Sequence, residues 1–233
     1  MKTRLTFAAI ALSAGLTCPA ESNVVLFEDG FAQMRSGSIG SDIGAHAEYH
    51  YLPEVGAKGN WFISAFVSGA PAQRAWRIAR HNGHPVLLQT YENKLVQTHP
   101  MVVGGDELWR DYTVTVRLAP DGARGRSGLV FRYRNDRCNY FFGVEGGKAV
   151  LKMIQHESDF HKPFEKLLAS QEFNWKPGED LLAEVTVAGE RITAKLNGQL
   201  TLAATDATYP QGKIGLLADG PTRFASVQVT ASA

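Results

Sequence analysis

Apolar residues alternate with polar ones along most of the chain, with a period of two residues. The alternation is clearest in three segments, at 112–118, 182–187 and 191–196. A period of two places successive side chains on opposite faces of an extended strand, so each segment is predicted to have one buried and one exposed face. Two further segments, 128–133 and 140–144, are more continuously apolar, which is typical of inner strands.

Turn-forming pairs separate the predicted strands. Asn82-Gly83, Gly146-Gly147 and Asn197-Gly198 each lie between two strand-like segments. These pairs tolerate the positive φ angles of two-residue hairpin turns, so they predict antiparallel neighbours. Many short strands with regular turns between them indicate an all-β sandwich. Only the stretch from Phe164 to Ser170 suggests a short helix.

The first 20 residues have the pattern of a cleaved signal peptide. Lys2 and Arg4 form a positive start, and an apolar run and a small-residue stretch follow. The apolar run is too short to span a bilayer, and no later stretch is long and apolar enough to do so. We therefore predict a signal peptide at 1–20, one domain at 21–233, and a periplasmic or secreted location. A lipidated Cys18 is the alternative.

Charge gives no support for two classes of partner. Lys2 and Arg4 are the only charges in residues 1–20, so the net charge of +1 for the whole chain becomes −1 for the predicted mature protein. A near-neutral chain with mixed charges gives no electrostatic reason to bind nucleic acid or an anionic membrane. Cleavage would leave Cys138 as the one cysteine, so the fold is expected to depend on its core rather than on a disulfide.

Several segments, taken in order, resemble the concanavalin A-like lectin/glucanase superfamily, in its laminin-G-like branch. They include the patterns W-x-D-Y, G-L-V-F-R-Y and G-x-I-G-L, and they lie at 108–116, 127–133, 139–143, 175–178, 182–187, 192–198 and 212–218. The resemblance implies an antiparallel two-sheet jelly-roll sandwich. Similar domains occur in exported polysaccharide-degrading proteins, among them keto-disaccharide hydrolase-type domains and the accessory domains of polysaccharide lyases.

The same resemblance suggests structural roles for glycines and tryptophans. Gly128 is expected to let one strand pass close to its neighbour, and Gly212 and Gly215 to mark a bend or close approach in the penultimate strand. Trp109 and Trp175 are expected to fill the ends of the sandwich.

Two arginines are candidates for binding an oligo- or polysaccharide. If Phe131 and Tyr133 face the core, alternation turns Arg132 and Arg134 outward, onto the concave sheet where lectin-like folds often bind sugar. A guanidinium group matches the carboxylate of a uronate in a bidentate geometry. The alternative is an ordinary solvated strand face that leads into a polar turn.

A second candidate binding group lies on two other predicted strands. Gln89 and Tyr91 share a face of one strand, while Lys152 and Gln155 lie on another. Amides, hydroxyls and a tyrosine ring suit the hydroxyl groups and C–H faces of a sugar. The sequence alone does not show that these strands are neighbours.

Catalysis is the alternative to binding. The hydrolytic glucanases on this scaffold resemble one another in a compact E-x-D-x-x-E strand motif, which this chain lacks. His156, Glu157 and Tyr140 remain weak candidates for an acid or a base. We therefore hypothesise an exported carbohydrate-binding or polysaccharide-processing accessory domain. The alternatives are a small secreted glycoside hydrolase of the keto-disaccharide type, a polysaccharide lyase, or a protein-interaction sandwich.

Structural calcium is the one cofactor considered. Glu28 and Asp29 near the first strand would meet Asp219 near the last strand if the two ends of the domain pair. Carboxylate oxygens are the ligands that Ca²⁺ prefers. No other cofactor is indicated.

Overall fold

The computed structural model describes residues 24–39, 59–64, 74–92, 99–122, 125–157 and 163–232. These residues form sixteen β-strands and no helix. Within the described ranges, nothing helical is long and apolar enough to cross a membrane. The predicted signal peptide and Cys18 lie outside the described residues, so export remains a prediction.

The strands, numbered in chain order, fall into two antiparallel sheets. Sheet A contains nine strands, β1 (Val25–Asp29), β2 (Gly37–Ser38), β4 (Trp76–His81), β5 (His84–Gln89), β7 (Tyr112–Pro120), β12 (Leu181–Ala188), β13 (Arg191–Leu196), β14 (Leu200–Thr205) and β16 (Thr222–Ala231). Sheet B contains seven strands, β3 (Phe62–Ser64), β6 (Met101–Gly104), β8 (Arg126–Asn135), β9 (Cys138–Glu145), β10 (Lys148–Gln155), β11 (Phe164–Glu172) and β15 (Lys213–Ala218).

In both sheets, several strands that are neighbours in space are distant from each other in the sequence. Sheet A runs β14-β13-β12-β7-β16-β5-β4-β2, with β1 added beside β16. Sheet B runs β11-β10-β9-β8-β15-β6-β3. The last two strands therefore sit inside the two sheets, β15 beside β8 and β16 beside β7. The predicted antiparallel jelly-roll sandwich is confirmed.

The main core lies between the inner faces of the two sheets. Alternation places Val114, Val116 and Leu118 of β7 in this core, while the intervening residues are more exposed. From sheet B, the rings of Phe131 and Tyr140 enter the same core and stack with centroids 5.1 Å apart. The period of two in the sequence thus reflects real burial along the sheet A strands.

All three predicted hairpin turns are present. The φ angles are 51° and 81° at Asn82-Gly83, 59° and 82° at Gly146-Gly147, and 52° and 69° at Asn197-Gly198. Positive φ at both central residues is the property that makes such turns fit the twist of the strands. These turns set the registers of β4 with β5, β9 with β10, and β13 with β14.

The expected helix at Phe164 to Ser170 is wrong. This stretch belongs to β11, which pairs with β10 from Lys148 to Gln155 and forms the edge of sheet B. Several residues in it are good helix formers, but helix propensity is a weak preference of a few tenths of a kcal/mol per residue. Backbone pairing with β10 supplies a stronger constraint than that preference.

The expected close approaches at glycines are confirmed. A Cβ atom built on Gly128 would lie 2.2 Å from the carbonyl oxygen of Phe142, and one on Gly143 would lie 2.2 Å from that of Ser127. A Cβ atom on Gly212 would lie 2.5 Å from the carbonyl carbon of Arg132 and 2.5 Å from the carbonyl oxygen of Tyr133. Side chains larger than hydrogen cannot fit at these positions without backbone movement.

Both tryptophans pack against the main core. Trp175 is buried and donates a hydrogen bond from Nε1 to the carbonyl oxygen of Gly122 at 3.2 Å. Trp109 is partly buried and meets Tyr112 edge to face.

We expect Gly128→Ala to destabilise the fold by about 3 kcal/mol, because the added methyl group meets backbone atoms rather than a flexible side chain. Gly30→Ala is the matched control, since a Cβ atom at Gly30 meets nothing within 4 Å. Urea unfolding of both variants measures the two free energies. Equal stability of the two variants would contradict the close approach.

Candidate functional site

The outer face of sheet B, directed away from sheet A, carries a second buried apolar group. We call this group the outer cluster. It consists of Met101, Val130, Phe141, Val150, Ile154 and Leu217, and Tyr133 packs beside it. These residues alternate with those of the main core, so the central strands of sheet B are buried on both faces. This explains why the sequence of β8 and β9 is almost continuously apolar.

Four charged side chains form one connected group on this face, which we call the Arg126 network. It joins β8, β9, β10 and β11 through Arg126, Glu145, Lys152 and Glu165. Arg126 donates from Nη2 to Glu165 Oε2 at 2.8 Å and to Glu145 Oε1 at 3.3 Å. Lys152 Nζ lies 2.5 Å from Glu145 Oε2 and 3.0 Å from Glu165 Oε2. Two cations and two anions therefore balance each other.

Burial makes these charges sensitive to one another. Arg126 is only 5% exposed, and its guanidinium lies over the ring of Phe141, 5.3 Å from the centroid. Burial alone would raise the pKa of Glu165, but the charges of Arg126 and Lys152 outweigh it, so the pKa lies below its ordinary value. Glu165 therefore stays ionised at neutral pH.

A small cavity lies beside the Arg126 network. Its volume is about 10 Å³, enough for one water-sized group, and it is lined by His99, Met101, Arg126, Asp136, Arg137, Asn139, Ile154, Pro163 and Leu217. Among the buried polar atoms of its lining residues, Arg126 Nε and Asn139 Oδ1 have no hydrogen-bond partner in the part of the chain that the structure describes. Asn139 is 1% exposed, and its Nδ2 donates to the carbonyl oxygen of Asn135 at 3.1 Å.

A buried donor or acceptor without a partner costs free energy, so such atoms mark a position where a ligand or water belongs. Arg126 Nε offers a donor and Asn139 Oδ1 an acceptor. A hydroxyl group can satisfy either atom, because it both donates and accepts.

A histidine–aspartate pair borders the same cavity. His99 Nδ1 lies 2.8 Å from Asp219 Oδ1, and both side chains are largely buried. The amide of Asp219 donates to the carbonyl oxygen of Arg126 at 2.7 Å. The backbone bond therefore joins the loop after β15 to the start of β8, and the side-chain pair joins the same loop to the residues before β6.

The two glutamates of the Arg126 network are close enough for carbohydrate chemistry, but the lowered pKa of Glu165 opposes a role for that residue as a general acid. Since Lys152 Nζ is 2.5 Å from one carboxylate and 3.0 Å from the other, the two oxygens lie within about 5.5 Å of each other. Retaining glycosidases hold two carboxyl groups about 5 Å apart. One of that pair must carry a proton as a general acid, whereas the pKa of Glu165 is lowered.

Lys152 is the predicted binding residue that lies within this site. Gln89 does not join it, because β5 belongs to sheet A and β10 to sheet B. Gln89 is fully buried, and its Nε2 donates to the carbonyl oxygens of Tyr91 at 2.6 Å and Ala218 at 3.0 Å. Tyr91 lies beyond the end of β5 and packs against the main core.

The expectation that alternation turns Arg132 outward is wrong. Arg132 has a φ of 46° and interrupts the register of β8, so Phe131 and Arg132 are both buried. Arg132 is 1% exposed, and its guanidinium donates to the carbonyl oxygens of Gly189 at 2.7 Å, Arg110 at 3.0 Å and Tyr209 at 3.1 Å. A guanidinium held in this way is engaged by the protein's own backbone.

Four other predicted residues are exposed. Arg134 is exposed near the end of β8, and Gln155 is exposed at the end of β10, next to the cavity residue Ile154. His156 and Glu157 follow Gln155 and are also exposed. Their roles in binding or catalysis remain predictions.

Tyr140 lies in the main core rather than on a ligand surface. Its hydroxyl donates to Asp206 Oδ1 at 2.7 Å, and burial raises the pKa of Tyr140 to about 12. A tyrosine with this pKa is protonated at neutral pH, which opposes a role as a lyase base.

The three residues considered for calcium do not come together. β1 pairs with β16 as expected, with Asp29 opposite Val227. Asp219 precedes β16 at its other end; five strand residues, about 17 Å at about 3.3 Å each, separate Val227 from the first residue of β16. Asp29 instead accepts hydrogen bonds from the Phe31 amide at 2.6 Å and Trp61 Nε1 at 2.8 Å.

The grouping of Glu28, Asp29 and Asp219 is therefore wrong. In the described part of the chain, no three or more His, Cys, Asp or Glu side chains are grouped to hold a metal ion. Calcium binding itself remains a prediction.

The sequence reasoning did not single out Arg126, Asn139 or Glu165. The sequence did contain a signal for the position of Lys152. The Gly146-Gly147 turn sets the register of β9 with β10, and this register places Lys152 opposite Phe141. Finding Arg126 and Glu165 requires the pairing of β8 with β9 and of β11 with β10. The turns that join those strands carry no comparable two-glycine signal.

Comparison with known proteins shows the fold. No protein-family model and no curated protein sequence matches the chain. Among solved structures, the carbohydrate-binding module CBM66 from Bacillus subtilis is 15% identical with a TM-score of 0.57, and the match covers 74% of this chain and 96% of that one.

Two further solved structures have the same architecture. Domain 4 of AbnA, an extracellular GH43 arabinanase from Geobacillus stearothermophilus in complex with arabinotriose, is 13% identical with a TM-score of 0.51, covering 91% of this chain and 95% of that one. LamA from Z. galactanivorans, with laminaritriose and laminaritetraose, is 10% identical with a TM-score of 0.53, covering 89% and 99%. At these identities the likeness shows the fold alone, and it agrees with the jelly-roll sandwich that the sequence resemblance implied.

We expect Arg132→Lys to destabilise the protein by at least about 2 kcal/mol, because one ammonium nitrogen cannot replace the separate guanidinium nitrogens that reach three different carbonyl oxygens. Arg134→Lys, the exposed neighbour two residues along, should change stability by less than about 0.5 kcal/mol. Urea unfolding compares the two variants. A similar small effect for both would contradict the buried arrangement.

Asp206 provides a pH-dependent contribution to stability. Burial raises the pKa of Asp206, but hydrogen bonds from Thr208 and Tyr140 outweigh it and lower the pKa from 3.8 to about 2. A lowered pKa stabilises the folded state above pH 3.8, and this contribution, about 2 kcal/mol, is lost as the pH falls towards 2.

We therefore expect Asp206→Asn to be less stable than the wild-type protein at pH 7 by about 2 kcal/mol, with a much smaller difference near pH 2. Glu107→Gln, which alters an exposed acid, serves as the control. Urea unfolding at both pH values is the measurement. A difference that does not shrink at low pH would contradict the assigned charge effect.

Proposed function

We propose that this protein is an exported carbohydrate-binding domain, or an accessory domain of polysaccharide processing, that recognises a glycan at the outer face of sheet B. The observation that carries the proposal is the pair of buried, unpartnered polar atoms, Arg126 Nε and Asn139 Oδ1, at one cavity beside an apolar cluster. Export rests on the signal-like residues 1–20.

The chemistry of this face suits a saccharide. Sugars present many hydroxyl groups, and ligand sites fix the orientation of a ligand with a few directed polar groups. The cavity admits one water-sized group. A sugar ring would therefore stay outside the cavity, with one hydroxyl inserted towards Asn139.

The similar folds support carbohydrate as the partner. One neighbour is a carbohydrate-binding module, and two others are described in complex with arabinotriose or with laminarin oligosaccharides. Since one fold serves many functions, the argument rests on the site and the neighbours add to it.

The charge state of Glu165 opposes a role for this residue as the general acid of a hydrolase. A lowered pKa keeps this carboxylate ionised, and both glutamates are neutralised by Arg126 and Lys152. The alternative, a small glycoside hydrolase or a polysaccharide lyase, would require one group of the site to exchange a proton near neutral pH.

Asn139→Ala tests the binding site. On a panel of oligo- and polysaccharides, we expect the protein to retain at least one glycan, and Asn139→Ala to weaken that binding about tenfold by removing one hydrogen bond. Gln228→Ala, which removes an exposed amide on β16 of sheet A, should leave affinity unchanged. Calorimetry measures affinity, and circular dichroism verifies folding. Unchanged affinity in Asn139→Ala would remove this face as the binding site.

The same panel separates binding from catalysis. Reducing ends and unsaturated ends are assayed after prolonged incubation with the protein and with Glu165→Gln. We expect no product from either protein. Product that disappears in Glu165→Gln would establish a hydrolase or lyase and overturn the proposal of a binding domain.

A further inference from the structure

A second groove lies on the outer face of sheet A, where the sheet divides. On one side, β16 pairs with β7 along its length. On its other side, β16 pairs first with β5 over residues 222–224 and then with β1 over residues 227–230. Ala225 and Ser226 lie between these two pairings. The β4–β5 hairpin and the end of β1 therefore diverge and leave an open channel between them.

The groove has the size of a ligand site. Its volume is about 510 Å³, within the usual range for small-molecule pockets. It is lined by Gly30, Ala32, His81, Asn82, His84, Pro85, Val86, Arg117, Asp180, Arg223, Ala225 and Ser226. Apolar surface from Pro85, Val86 and Ala225 thus lies beside several hydrogen-bonding side chains.

The two arginines that line the groove differ in their partners. Among its lining residues, Arg117 and Arg223 face a single acid, Asp180. Arg223 is already engaged, because Nη2 donates to the carbonyl oxygen of Gly178 at 3.2 Å and Nη1 lies 3.6 Å from Asp121 Oδ1. The exposed guanidinium of Arg117, by contrast, has no hydrogen-bond or ion-pair partner within the residues that the structure describes.

These features define the ligand by its chemistry. A planar guanidinium with open donors matches a carboxylate in a bidentate geometry. The imidazoles of His81 and His84 and the hydroxyl of Ser226 add hydrogen-bonding groups along the same groove, and Pro85 and Val86 add apolar surface. Such a mixture suits a hydroxylated ring that carries an acid group.

We propose that this groove binds a carboxylate-bearing sugar unit, a uronate within a glycan, and that Arg117 receives the carboxylate. The site lies on the sheet opposite the Arg126 network. The inference does not depend on the function proposed for the outer face of sheet B.

Calorimetry with acidic oligosaccharides tests the proposal. The probes are trisaccharides of galacturonic, glucuronic and mannuronic acid, their methyl esters, sodium acetate and inorganic phosphate, all at one ionic strength. We expect at least one acidic trisaccharide to bind and its methyl ester to bind at least tenfold more weakly. Acetate and phosphate should compete poorly, because they lack the ring.

Three variants locate the binding. Arg117→Gln should weaken binding of the acidic trisaccharide at least tenfold, since it removes the charge and the bidentate donors. Arg191→Gln makes the same change at an exposed position of sheet A outside the groove and should have no effect. Asn139→Ala should also have no effect, because it lies on sheet B.

Several results would overturn the proposal. They are failure of every acidic trisaccharide to bind, equal binding of the methyl esters, equal competition by acetate or phosphate, and full affinity in Arg117→Gln. Loss of affinity in Asn139→Ala alone would assign the acidic sugar to sheet B. The two proposals can fail separately. If no neutral glycan binds but a uronate binds in a way that depends on Arg117, the first proposal fails and this one stands.

Discussion

The outer face of sheet B depends on the close contact of β8 and β9 at two glycines. Gly128 and Gly143 lie opposite each other, and a Cβ atom on either would meet both backbone and the ring of Phe141, at 3.0 Å and 2.9 Å. Their missing side chains leave the space that this ring occupies. Arg126 then lies over the ring and reaches Glu165 on β11. The lack of side chains at Gly128 and Gly143 thus makes room for the ring on which Arg126 of the charge network lies.

The two outer faces of the sandwich use charge in opposite ways. On sheet B, two cations and two anions pair with one another. This face therefore offers a ligand hydrogen-bonding groups in fixed positions rather than a net charge. On sheet A, the guanidinium of Arg117 is exposed in an open groove. A neutral polar ligand suits the first face and an anionic ligand suits the second. The near-neutral net charge of the chain conceals this difference.

Local sequence patterns predicted those parts of the fold that local physics controls. Alternation identified the strands of sheet A, and Asn82-Gly83 and Asn197-Gly198 identified tight turns, because both signals act over a few residues. The Arg126 network could not be predicted in this way. Arg126 and Glu165 are far apart in sequence and meet only because β8 and β11 lie in one sheet, at a distance spanned by two intervening strands.

The break at Arg132 in the alternation of buried and exposed side chains has a structural consequence. A bulge adds a residue to one strand, so the side chains beyond it change faces. At this bulge Arg132 turns into the protein and binds backbone carbonyls, while Tyr133 packs on the outer cluster and bonds Ser64 of β3 at 2.6 Å. An ideal strand would have placed Tyr133 in the main core with Phe131. The irregularity therefore helps to complete the outer face, and it is the point at which a regular pattern misled the sequence prediction.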